Sequence, residues 1–202
     1  MPRLPWPLVG RRSVLAAPLL LADCATGIGE PLPGPPRARV VLFRGIAEIS
    51  TGLDDFARHL RDAGYSASVH SHLAGDQVAE RLLTLARQNR LPRPLCIGGH
   101  SLGADTAIDL CGELYAARLV TDGLFTLDPV LVGTVPPGPR RVTNFYQAGN
   151  GFGRPLAPRP GFDGAIENIN LAEVPRLGHF NMDASARIQH DIVDRINALR
   201  RA

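Results

Sequence analysis

Residues 96–103 read Cys-Ile-Gly-Gly-His-Ser-Leu-Gly, an apolar run that stops at a glycine-flanked serine. Residues 104–110 then continue with the apolar spacing of a helix. A Gly-x-Ser-x-Gly motif between a strand and a helix holds its serine in a strained turn, with Gly99 and Gly103 where side chains would collide. The turn places the Ser101 hydroxyl at the helix N-terminus, where free N–H groups favour negative charge. The stretch therefore predicts a reactive serine; the alternative is a glycine-rich turn that merely contains one.

The whole chain predicts a three-layer α/β/α sandwich around a mostly parallel sheet. Its 202 residues and 45% apolar content are typical of one globular domain. Near-continuous apolar strands are expected where helices cover both faces of a sheet. About six strands alternate with helices, and we place them at 39–43, 65–69, 95–98, within 119–127, 141–146 and 165–171. The predicted helices are one that begins with a capping box at 51–54 and stops at Gly64, and three at 76–90, 102–118 and 184–199.

A serine hydroxyl is a weak nucleophile until a base takes its proton, and that base needs an acid to orient it. In parallel sheets such groups gather beyond the carboxyl ends of the strands. Asp128 directly follows the predicted strand that ends at Leu127, and His179 lies between the last strand and the last helix. The chain order of these groups is Ser101, Asp128, His179. We therefore predict that these three residues form a catalytic triad.

Other residues compete for these roles. Asp163, Glu173 and Asp183 are alternative acids, although Asp163 falls in a predicted loop and Asp183 is expected to begin or cap the last helix. His190 also follows Asp128, but its place within the last helix favours a solvated or packed side chain.

Composition and histidine spacing argue against several function classes. All 22 basic residues are arginines and they are scattered, so no basic stripe with interleaved aromatics predicts a nucleic-acid partner. His70 and His72 form a close pair, but no Cys, Asp or Glu cluster accompanies them at metal-ligand spacing. We predict neither a metal nor another cofactor. Cys96 and Cys111 are predicted to be small buried hydrophobes rather than a disulfide.

Residues 1–26 are predicted to be an export signal. Arg11 and Arg12 precede a short apolar run and resemble a twin-arginine signal. Residues 21–24, Leu-Ala-Asp-Cys, resemble a bacterial lipoprotein box in which Cys24 is lipidated, although Asp23 stands where a small residue is usual. We therefore expect export to the bacterial periplasm or cell envelope, with the membrane as a partner through a lipid anchor. A soluble secreted form cut near Cys24 remains the alternative.

Residues 27–37 are rich in proline and glycine and are predicted to be a linker, so the folded domain is expected over 38–202. Later in the chain, loops 129–140 and 148–164 are the candidate pocket walls. Asn144, Tyr146, Asn150 and Phe152 could contact a substrate there, and ordinary loop packing is the alternative.

These motifs, in this order, resemble the α/β-hydrolase superfamily, and specifically its small lidless members, over almost all of residues 38–202. Leu-Asp-Pro at 127–129 also resembles the acid segment of lipases whose aspartate follows the strand after the nucleophile strand. The resemblance implies an oxyanion hole made by two backbone N–H groups. One belongs to Leu102, and the other to Ile46, because small lipases often read His-Gly-x where this chain reads Arg44-Gly45-Ile46.

The resemblance further implies a serine hydrolase that cleaves carboxylic esters, lipase- or esterase-like, through an acyl-enzyme intermediate. The expected substrate is a small-molecule or lipid ester, and an open site favours small or surface-presented esters. Thioesterase or acyltransferase activity on the same fold, or a non-catalytic envelope binding protein, stays open.

Overall fold

A computed structural model describes residues 35–201. The predicted export signal at 1–26, the lipidation site Cys24 and most of the predicted linker lie outside the described residues. The strands are β1 Arg39–Phe43, β2 Ser66–His70, β3 Leu95–His100, β4 Thr121–Leu127, β5 Thr134–Val135, β6 Pro139–Tyr146, β7 Ala157–Pro158 and β8 Ala165–Asn170. The helices are α1 Gly52–Asp62, α2 Gly75–Arg87, α3 Leu102–Ala116 and α4 Ala186–Leu199.

Six of these strands form one parallel sheet in the order β2-β1-β3-β4-β6-β8. The short strands β5 and β7 pair separately. Helices cover both faces of the large sheet, because Val40 and Leu42 of β1 pack with α1 and α4, whereas Val41 and Phe43 pack with α2 and α3. The predicted α/β/α sandwich is confirmed. Its central strands are buried on both faces, which explains why their sequences are nearly continuous in apolar residues.

The last strand, β8, has a different composition because it lies at the edge. Only Ile166 and Ile169 are partly buried there, and they pack against the cores on opposite faces of the sheet, while its other residues are exposed. This agrees with the prediction of an edge strand at 165–171. None of the helices within residues 35–201 combines the length and apolarity that crossing a membrane requires.

The two described cysteines are free and buried. Cys96 belongs to the core on the α1 and α4 side of the sheet, and Cys111 to the core on the α2 and α3 side. The sheet thus separates their side chains, and burial raises the pKa of both thiols, that of Cys111 to about 12. Both cysteines fill core volume, as the sequence predicts.

The first helix begins with a cap that comes from far along the chain. Thr51, expected to open a capping box, has helical backbone angles and makes no side-chain cap hydrogen bond, so that prediction is wrong. The N–H of Gly52 instead donates to Asp183 Oδ2 at 2.9 Å. A Cβ on Gly52 would lie 2.6 Å from the backbone of Ala184, so only glycine permits this approach. Asp183 therefore caps α1, and not the last helix as the sequence suggests.

We predict that Asp183→Ala lowers the free energy of unfolding by about 1–2 kcal/mol, because it leaves the buried Gly52 N–H without an acceptor. Thr51→Ala is the control, and its cost should stay below about 0.5 kcal/mol. Urea unfolding midpoints at constant m-value would measure both. Equal losses in the two variants would show that the distant cap contributes nothing.

Candidate active site

Ser101 occupies the sharp turn between β3 and α3. Its backbone angles are φ 57° and ψ −127°, a conformation that non-glycine residues rarely adopt. A Cβ on Gly99 would lie 2.2 Å from the carbonyl oxygen of Gly103, and one on Gly103 would lie 2.2 Å from that of Phe43. The crowding expected from the sequence is present, and it leaves the turn no room for larger side chains.

The structure brings Ser101, His179 and Asp128 together in one buried hydrogen-bond chain. Ser101 Oγ lies 3.1 Å from His179 Nε2, and His179 Nδ1 lies 3.1 Å from Asp128 Oδ2. With its proton on Nδ1, the neutral imidazole donates to Asp128 and leaves Nε2 to accept from the serine hydroxyl. This arrangement can transfer a proton away from the serine as the serine attacks an electrophile.

Asp128 is held by donors from the segment after β6. Its fully buried carboxylate accepts hydrogen bonds from the Gln147 N–H at 2.8 Å and from Asn150 Nδ2 at 2.7 Å, besides that from His179. The sequence suggests Asn150 only as a pocket contact, and the structure instead places it on the acid. No sequence pattern around Asn150 indicates that role, because the residue stands in a glycine-rich loop.

Aromatic rings hold His179 from the solvent side. The Phe152 ring stacks on the imidazole with centroids 4.0 Å apart and planes 12° apart. Phe180 meets the imidazole edge-on at 5.1 Å. Phe152, a candidate pocket residue from the sequence, therefore fixes the plane of the imidazole. The two other candidates from that set, Asn144 and Tyr146, lie at the end of β6, where Asn144 Nδ2 donates to the Arg154 carbonyl.

The competing acids and base lie elsewhere. Asp183 caps α1, Asp163 lines a groove with Asp122 and Arg140, and Glu173 is exposed. His190 is exposed on α4, with its Nδ1 2.8 Å from the Ala186 carbonyl oxygen. Within residues 35–201, Asp128 is the carboxylate that forms a hydrogen bond with His179.

The two residues expected to donate to an oxyanion flank Ser101. Leu102 is the first residue of α3, so its N–H has no partner within the helix. Gly45 lies against the serine, since a Cβ on it would be 3.1 Å from Ser101 Cβ. The Gly45 N–H donates to Ser50, whereas the N–H of the next residue, Ile46, has no acceptor within residues 35–201. Both N–H groups are thus available to a ligand.

Arg44 anchors this loop to α1. Its Nε donates to Asp54 Oδ2 at 2.9 Å, and its Nη1 donates to Glu48 Oε2 at 2.9 Å. These ion pairs hold the loop from the solvent side.

A buried pair, Ser50 and His100, braces the same loop from within. Both side chains are 1% exposed, and Ser50 Oγ lies 2.7 Å from His100 Nδ1. Ser50 Oγ also accepts from the Gly45 N–H, so it links the loop to His100. Burial, together with nearby His179, lowers the pKa of His100 to about 4 and keeps it neutral. The sequence suggests only that the turn fixes His100; its partner lies 50 residues away.

His70 and His72, the histidine pair noted in the sequence, are not part of a metal-ligand cluster among the described residues. Within residues 35–201, no three His, Cys, Asp or Glu side chains stand close enough together to hold a metal ion. His70 Nε2 lies 2.7 Å from Ser68 Oγ. The carbonyl of His72 accepts from Thr106 Oγ1 at 2.8 Å, which ties its turn to α3.

The sequence matches no protein-family model and no curated protein sequence. Comparison of the structure with solved structures is informative. The type II thioesterase BorB from the borrelidin biosynthetic cluster superposes with a TM-score of 0.53 at 13% identity, covering 83% of this chain and 95% of that one. A metagenome-derived lipolytic enzyme, from work on LipS and LipT, gives 0.52 at 11% identity over 84% and 98%. This chain has the α/β-hydrolase fold.

A third α/β-hydrolase structure, a soluble variant of monoglyceride lipase from Saccharomyces cerevisiae, gives a TM-score of 0.52 at 10% identity over 82% of this chain and 87% of that one. At such low identities the likeness concerns the fold alone. The chemistry of this chain must therefore be argued from its own residues.

We predict that His100→Asn flattens the dependence of stability on pH. An unfolded histidine has a pKa of about 6.5, whereas that of buried His100 is about 4. As the pH falls from 7 to 4, the unfolded state binds a proton at this histidine that the folded state does not bind. This difference lowers the free energy of unfolding of the wild type by up to about 3 kcal/mol. Asn can still form a hydrogen bond with Ser50 but does not titrate. Urea midpoints from pH 7 to 4.5 would test this, and parallel curves for the two proteins would contradict it.

Proposed function

We propose that this chain is a serine hydrolase that cleaves carboxylic esters through an acyl-enzyme intermediate. The observation that carries the proposal is the hydrogen-bond chain from Ser101 through His179 to Asp128. It begins at a serine strained into a turn at the N-terminus of α3. A structural serine would need neither the strained backbone nor the buried imidazole.

Acylation follows from the order of these groups. Ser101 Oγ attacks the ester carbonyl carbon as His179 Nε2 takes the hydroxyl proton. The carbonyl oxygen becomes an oxyanion, which accepts hydrogen bonds from the Leu102 and Ile46 N–H groups. When the tetrahedral intermediate collapses, His179 returns the proton to the departing alkoxide, and the acyl group stays on the serine.

Deacylation repeats these steps with water. His179 takes a proton from water, the resulting hydroxide attacks the acyl carbon, and the proton returns to Ser101 Oγ as the carboxylic acid leaves. Asp128 keeps the proton on Nδ1 and stabilises the imidazolium formed in each half-reaction. The donors Gln147 and Asn150 fix the carboxylate, and the stacked Phe152 fixes the ring, so little rearrangement is needed.

The same groups can act on thioesters, or can transfer the acyl group to an alcohol, because the acyl-enzyme is common to all three reactions. Matched oxygen and sulfur esters, assayed with and without an added alcohol, would separate these activities by their products.

Labelling with a fluorophosphonate tests the activated serine directly. We expect one adduct on Ser101, located by peptide mass spectrometry, because attack on phosphorus uses the same base and oxyanion donors. His179→Ala should abolish labelling, whereas His190→Ala, which alters an exposed histidine, should not. Folded protein that forms no adduct would overturn the proposal and favour a binding protein with this fold.

Hydrolysis rates test the acid and the nucleophile separately. On a dissolved short-chain ester, Asp128→Asn should lower kcat by about 10⁴-fold, because an amide can stabilise the wrong imidazole tautomer. Ser101→Ala should lower it by about 10⁶-fold. Circular dichroism and urea midpoints would show that both variants are folded. Full activity in the Ser101→Ala variant would exclude the mechanism.

A further inference from the structure

The large apolar side chains that this fold leaves exposed are concentrated at one edge of the sheet. Of seven such residues in the described part of the chain, six lie in loops that follow the carboxyl ends of strands, the edge that carries Ser101. We call these six the apolar rim: Ile46, Ile49, Leu73, Leu131, Phe152 and Phe180. The seventh, Tyr115, lies near the far end of α3.

Contacts tie the rim to the serine from several directions. Phe152 and Phe180 pack on His179 and on one another. The N–H of Leu131 donates to Asp105 in the first turn of α3.

On the other sides, the turn that carries Leu73 is bonded to Thr106 of α3, and Ile46 follows the glycine that lies against Ser101. Since the rim comes from the loops after β1 and β2 and from those after β4, β6 and β8, it lies on both sides of the serine, which follows β3.

Three side chains of the rim are largely exposed. Leu73 is 83%, Leu131 73% and Phe180 71% exposed. Single exposed leucines are ordinary, but apolar residues gathered around one point mark an interaction surface.

Charge is distributed in the opposite way. In the segments beside the rim, the basic residues Arg44, Arg154 and Arg176 are matched in number by the acidic residues Glu48, Asp54 and Glu173, and Arg44 forms ion pairs with Asp54 and Glu48. Excess positive charge lies at the other edge of the sheet, where four arginines line a groove with one carboxylate, Asp122, which pairs with two of them; the four are Arg37, Arg93, Arg140 and Arg200. A polyanionic partner would be drawn to that edge and away from the serine. The rim thus favours a partner that is apolar and carries no net charge.

We propose that the apolar rim docks on the surface of an aggregated neutral or zwitterionic lipid, so that Ser101 meets esters presented at that surface. Burying the rim among acyl chains removes apolar area from water, while the triad remains at the level of the ester groups. The choice of ester as substrate rests on the proposed function, whereas the docking itself does not.

The test compares the full chain with a Leu73→Ser/Leu131→Ser double variant and with Tyr115→Ser, the matched control outside the rim. All three proteins share the same N-terminal region, so its contribution to membrane binding cancels. Binding is measured by flotation with phosphatidylcholine vesicles. Activity is measured on tributyrin below its solubility limit and as an emulsion.

We expect the double variant to bind vesicles and to hydrolyse the emulsion about 10-fold less well or worse, because two large apolar side chains no longer enter the lipid. Because Leu131 belongs to a candidate pocket wall, dissolved tributyrin is the reference substrate: the rate on it should fall far less than the rate on the emulsion. Tyr115→Ser should resemble the parent protein in every assay. If the double variant binds vesicles as well as the parent protein does, docking on lipid is wrong, and the rim would instead bind a protein partner. Equal losses on dissolved and emulsified substrate would also overturn docking on lipid.

The two proposals fail in different ways. If no protein hydrolyses tributyrin but the double variant alone loses vesicle binding, docking stands and the ester hydrolase is wrong. If Ser101 is labelled and esters are cleaved while vesicle binding is the same in all three proteins, the hydrolase stands and the docking is wrong.

Discussion

The close approach of three backbone segments at Ser101 is the constraint on which the site depends. The end of β1, the turn after β3 and the start of α3 meet at distances that admit only glycine at positions 99 and 103. This contact forces the serine into a conformation that would be costly elsewhere by about 1–3 kcal/mol. It also brings the loop after β1 against the serine, so the nucleophile and both candidate oxyanion donors are positioned by one packing event.

The sequence predicts most of this architecture because the relevant signals are local. Continuous apolar strands, helical spacing and the Gly-x-Ser-x-Gly turn each depend on neighbouring residues, and chain order then brings Asp128 and His179 to the edge that carries Ser101. The missed features depend on distant partners. Asp183 caps a helix that begins 131 residues earlier, and Ser50 meets His100 only in the folded chain. Arg39, within a strand predicted as apolar, is buried against Ser66 and Ser68 of β2.

The site is also more strongly braced than its small size suggests. Ion pairs from Arg44 hold the loop after β1 on the outside, while Ser50 and His100 hold it on the inside. The acid is fixed by Gln147 and Asn150, and the base by stacking on Phe152. Preorganisation of this kind is what electrostatic stabilisation of a developing oxyanion requires. In this fold, function depends on such placement and not on the topology itself.

The bond between Gly52 and Asp183 has a consequence for how the molecule opens. Asp183 lies four residues after His179, so the segment that carries the imidazole also closes the start of α1. A fluctuation that lifts this segment exposes the first amides of α1 at the same moment as it removes the base from the serine. The start of α1 and the histidine loop are thus linked, and we expect their amides to share one free energy of opening in hydrogen exchange. A variant that loosens the histidine loop to admit a bulkier substrate would therefore also loosen the start of α1.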